Sequence, residues 1–143
     1  MSTYYNANGS GGYISEQRYA SAKCRIDIAK SYLCDAKRHF KKGDYIAMLS
    51  YMHCAIQQAS RAMLELNEAC DENEYIHTRL FSRDNLLFRN KIAYVLEKIV
   101  RGDFFRWPKE SFSEDLNKTS IFIKDAEEVL SDYYICTDKE IEK

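Results

Sequence analysis

Four separate stretches of this chain repeat apolar or small residues at alternating steps of three and four, the spacing that lines one face of an α-helix. The first runs through Tyr19, Ala22, Ile26, Ala29, Leu33, Ala36 and Phe40, and the second through Tyr45, Leu49, Met52, Ile56, Ala59, Met63 and Leu66. Sparser stripes follow at Phe88, Ile92, Val95 and Ile99, and at Leu116, Ile123, Ala126, Leu130 and Tyr133. A mean step near 3.5 residues suits helices packed at shallow angles, and alanines on the seam let backbones approach closely. One proline and five glycines in 143 residues are too few for the turns of an all-β fold. The expectation is an all-α, antiparallel four-helix bundle, within the length that one core supports.

Stop and start signals divide the stripes. Ser15 is placed to cap the first helix; Lys41, Lys42 and Gly43 form a helix ending, with cations at the negative end and a glycine for the left-handed stop. Asp44 then caps the second helix, after a turn short enough to make the two antiparallel neighbours. Residues 70–81 lose the period and read as a connection, after which Ser82 or Asp84 can cap the third helix. Gly102 ends it, Pro108 closes an aromatic loop, and Ser111 with Glu114 has capping-box spacing for the fourth. Residues 1–14 carry no charge but three glycines and three tyrosines, the composition of a flexible leader. The domain is therefore expected over 15–135, with 136–143 as a frayed tail.

Charge narrows the functional classes. The net charge of −1 hides nine basic and nine acidic residues in 1–78, eight basic and three acidic in 79–109, and four basic against ten acidic in 110–143. No apolar run approaches the roughly 20 residues of a membrane helix, so no membrane partner is expected. Five cysteines (Cys24, Cys34, Cys54, Cys70, Cys136) form no C-x-x-C pair, and no Cys/His spacing suits a metal. A reduced, cytoplasmic protein without metal or cofactor is the simplest reading. The histidines follow the same logic: His53 adjoins a core stripe and reads as a packed or interface residue, and His39 and His77 as solvated.

The basic stretch interleaves cations with rings. Arg83, Lys91, Lys98, Arg101, Arg106 and Trp107 are the candidate binding residues, because cations neutralise phosphates and rings stack on bases. Arg83, Lys91 and Lys98 share roughly one side of the third helix. That face can equally complement the acidic fourth helix, of its own or of a partner subunit.

A tetratricopeptide array is excluded, since the Gly43–Tyr45 hairpin has no echo about 34 residues on. The second-helix region instead resembles the HEPN superfamily, helical domains named from higher eukaryotes and prokaryotes. GDY (Gly43 to Tyr45) leads into Met52 to Leu64, with Ala55, Ala59 and Ala62 in register with the family's small residues. The segment RGDFF is similar to the family's R-x-x-A-D-Y, and the last helix carries a DAEEVL of the family type. The resemblance covers about residues 16–135.

It implies a bundle that commonly dimerises and, in many members, a metal-independent ribonuclease built on an Arg followed four to six residues later by His. An imidazole can move the 2′-hydroxyl proton while a guanidinium holds the phosphate. None of the three histidines has an arginine at those positions, so the motif is absent. Its nearest remnant is Arg89 and Asn90, like the family's R-N start, with Tyr94 where a His would begin to qualify; an ordinary tyrosine, titrating near 10, is a poor proton shuttle. The expected function is a non-catalytic HEPN-like domain acting by protein binding, as a homodimer or with a nucleotidyltransferase-type protein. The alternatives are a divergent ribonuclease or toxin, and an RNA- or nucleotide-binding module using residues 79–109.

Overall fold

The computed structural model describes residues 13–69, 83–101 and 109–136. They form four helices, α1 (Glu16–Lys41), α2 (Tyr45–Ala69), α3 (Arg83–Val100) and α4 (Lys109–Ser131), framed by two short strands, β1 (Tyr13–Ser15) and β2 (Tyr134–Cys136). The described residues are mostly helical, an all-α arrangement with one minor strand pair, and no helix among them is long and apolar enough to cross a membrane.

The α1–α2 hairpin is built as its punctuation requires. Ser15 accepts the Arg18 backbone N–H at 3.2 Å, and Asp44 accepts that of Ala47 at 3.2 Å. Between the helices Gly43 takes φ of 78°, the left-handed region that costs any residue with a Cβ. Both stripes are buried except at the aromatic residues Tyr19, Phe40 and Tyr45, which pack half-buried against the core, and the seam alanines Ala22, Ala29, Ala36, Ala55, Ala59 and Ala62 are fully enclosed. Glu65 straps the open end of the hairpin, accepting from the Ser21 hydroxyl at 2.9 Å and pairing with Arg25 at 3.4 Å.

The fourth helix lies along this hairpin. Tyr45 stacks on Phe112 with ring centroids 4.8 Å apart, and at the far end the Tyr133 hydroxyl donates to the Leu66 carbonyl at 3.1 Å. Lys30 of α1 pairs with Glu127. The third helix packs on α2, presenting Phe88, Ile92 and Val95 to the core.

Two boundaries read from the sequence are corrected. Tyr13 and Ile14, assigned to the leader, form β1, and Cys136, assigned to the tail, ends β2; the strands pair in parallel with Ile14 opposite Ile135. The reason is burial, since Ile14 is only 4% exposed and belongs to the core. Ser111 does not cap α4, which begins at Lys109 and places Phe112 in the core within its first turn. The connection at 70–81, the rest of the leader, the aromatic loop and the end of the tail lie outside the described residues.

Candidate functional site

The third helix carries most of the candidate residues, and its three sides have different fates. The inward side is core. Toward α4, Lys91 donates to the Asp115 carboxylate at 2.9 Å. Asp115 is 1% exposed, so an ion pair that belongs to the basic stretch is spent inside the protein. Farther along, Arg101 pairs with Glu97 one turn earlier at 2.6 Å, and the Lys98 ammonium sits 5.5 Å from the Tyr94 ring centroid, within cation–π range. Arg83 is exposed at the first position of the helix, and Asn90 is exposed in its middle. Arg106 and Trp107 lie outside the described residues.

Between α3 and α4 runs a groove of about 480 Å³ lined by Asp84, Asn85, Leu87, Phe88, Lys91, Lys118, Ile121, Phe122 and Asp125. Each helix offers an apolar residue between opposite charges: Asp84, Leu87 and Lys91 on α3, and Lys118, Ile121 and Asp125 on α4. With Lys91 tied to Asp115, the roughly 10 Å of helix back to Asp84 runs alongside Lys118 to Asp125. The two carboxylates therefore share one end of the groove and the two ammonium groups the other. Phe88 and Phe122 form its buried floor, whereas Leu87 and Ile121 are 57% and 51% exposed.

On the other flank of α3 a smaller cavity, about 220 Å³, is lined by Arg89 together with His53, Ile56, Gln57, Ser60 and Arg61 of α2. Burial lowers the His53 imidazole from its ordinary value and lowers the Arg89 guanidinium as well. At neutral pH the imidazole is thus held uncharged, while the guanidinium remains a cation. The structure brings Arg89 and His53 to one cavity, from positions too far apart in the chain for any local motif. It leaves Asn90 and Tyr94 exposed, Tyr94 beneath Lys98.

Sequence reading named Arg89 and Lys91 but missed the residues that complete each arrangement. Gln57, Ser60 and Arg61 stand at i+4, i+7 and i+8 from His53, a polar stripe beside the α2 core stripe and legible as such. Lys118, Ile121 and Asp125 gave no comparable signal, because their meaning comes from α3. Among the described residues no group of His, Cys, Asp or Glu is placed to hold a metal ion. Comparison with models of known families, with curated proteins and with solved structures found no match.

Proposed function

We propose that this chain is a HEPN-like antiparallel four-helix bundle that acts by binding, and that a second copy of itself docks on the α3–α4 groove. The antiparallel reading rests on the pairings already described, with α1 beginning beside the end of α4 and α3 running against both α2 and α4. The observation that carries the functional reading is the groove's charge layout. A two-fold axis through Leu87 and Ile121 exchanges its ends, setting Asp84 and Asp125 of one copy against Lys118 of the other, while Lys91 stays with Asp115 of its own copy. The exposed apolar centre supplies area and the charges supply register, as a self-complementary interface requires.

Sedimentation velocity across micromolar concentrations tests this. A dimer is expected that Asp84→Lys weakens and that adding Lys118→Asp restores, because the swap rebuilds the complement across the axis. A monomer at every concentration, including one that binds a nucleotidyltransferase-type protein through this groove, overturns self-docking. The ribonuclease alternative relied on Tyr94 as proton shuttle; an exposed tyrosine under an ammonium group is poorly suited to that task, and incubation with RNA beside Arg89→Ala checks it.

A further inference from the structure

Three lysines and two aliphatic residues gather at one end of the bundle, and the fold leaves all five in solvent. Lys37, Lys41 and Lys42, where α1 turns into α2, are exposed, and none has a carboxylate partner among the described residues. Ile46 in the first turn of α2 is 58% exposed and Val100 in the last turn of α3 is 84% exposed, the two highest values among the large apolar residues described. Single apolar side chains on a surface are ordinary, but these two belong together.

Helical geometry brings the pair to one place. His53 of α2 and Arg89 of α3 line the same cavity, so each marks the side of its helix that faces the other. Ile46 stands seven residues before His53 and Val100 eleven after Arg89, both close to whole numbers of turns, so each shares that facing side. With α3 running against α2, both lie toward the Gly43 turn. Val100 is about 16 Å along from Arg89, and Ile46 about 16 Å back from Gln57, which lines that cavity too. The two form one apolar patch at the end of the α2–α3 seam, with Lys42 four residues ahead of Ile46 in the chain.

Charge at this end is opposite in sign to that of the whole chain. Lys37, Arg38, Lys41, Lys42, Lys98 and Arg101 stand against the described carboxylates of Asp35, Asp44, Glu97 and Glu114, in a protein whose net charge is −1. Asp35 and Glu97 only balance Arg38 and Arg101. Cations around exposed aliphatic side chains suit an anionic bilayer, which attracts the first and dissolves the second. A nucleic-acid backbone gains nothing from isoleucine or valine. Lying on a bilayer requires no spanning helix, which answers the expectation of no membrane partner drawn from the lack of one. We propose that this end of the bundle docks on the headgroup region of an anionic lipid membrane, with the three lysines over the lipid charges and Ile46 and Val100 inserted between them. The proposal uses the antiparallel course of the helices and not self-docking on the α3–α4 groove.

Co-sedimentation of the full chain with vesicles tests this, using phosphatidylcholine alone and phosphatidylcholine with an equal part of phosphatidylserine. Binding is expected to the mixed vesicles only, falling as salt rises. Lys37→Gln with Lys41→Gln should weaken it by about twentyfold, near fivefold for each lysine. Ile46→Ser with Val100→Ser should weaken it by about tenfold or more. Arg61→Gln with Lys124→Gln removes equal charge from exposed positions more than about 15 Å along the bundle, and should leave the affinity within about twofold. No binding to the mixed vesicles, equal binding to phosphatidylcholine alone, or an affinity that the lysine pair leaves intact overturns the proposal. A loss through the lysines with none through Ile46 and Val100 overturns it too, since the surface then answers to any polyanion, RNA included.

Discussion

Replacing Lys91 by methionine should be among the most damaging changes available at a partly exposed position of this protein. The side chain of Asp115 is 2% exposed and that of Lys91 34%, with the ammonium 2.9 Å from Oδ1. The other carboxylate oxygen, Oδ2, is buried without a hydrogen-bond partner, so Lys91 is the group that stabilises the charge. Removing one member of a fully buried pair costs about 3–5 kcal/mol, because an uncompensated charge remains. Since Lys91 is a third exposed, water reaching its vacated place recovers part of that, and about 2–4 kcal/mol is expected for Lys91→Met. Removing both charges, in Lys91→Met with Asp115→Leu, should recover most of the loss, because no buried carboxylate is then left. Urea unfolding of the wild type, both single variants and the double variant gives the coupling directly. A loss below about 1 kcal/mol for Lys91→Met, or a double variant no better than that single one, would refute the account of this pair as a buried electrostatic tie between α3 and α4.

Two further outcomes follow from the same structure. Because burial holds His53 below its ordinary value of 6.5, the unfolded chain takes up that proton first as pH falls; stability rises with pH just below 6.5, and above it the imidazole is neutral in both states. His53→Gln should flatten this part of the curve of urea midpoint against pH, and an unchanged slope would show that burial of the ring is not its cause. Ile14→Ala should cost about 2–3 kcal/mol as read by urea unfolding, an effect out of proportion for a residue beside an uncharged leader; a negligible loss would mean that β1 adds nothing to the core.

The fold was legible where the controlling physics is local. Periodicity, caps at Ser15 and Asp44 and the stop at Gly43 all act within a few residues, and each of them holds in the structure. The β1–β2 pair was not legible, since it joins segments 121 residues apart and Ile14 follows a run whose composition suggests no structure. Ser111 misled because a cap pattern competes with core demand, and burial of Phe112 won by drawing the helix start to Lys109. The candidate site divides in the same way. Lys91 and Arg89 stand two residues apart in the same basic stretch, and helical rotation sends the first to α4 and the second to α2. Which side chains meet them there depends on how the helices pack, and no spacing along one helix contains that information.

The parallel sense of the strand pair has a mechanical meaning. The first residue of β1 and the last residue of β2 lie at opposite ends of the ladder, with Tyr13 beside Tyr134 at one end and Ser15 beside Cys136 at the other. Tension applied through those two residues slides one strand along the other and loads the cross-strand bonds together, whereas an antiparallel pair held the same way would peel open one bond at a time. The hairpin and the helix packed on it are thereby fastened by a small shear clasp, and neighbours attached at either end would pull against that clasp before they pulled on the core.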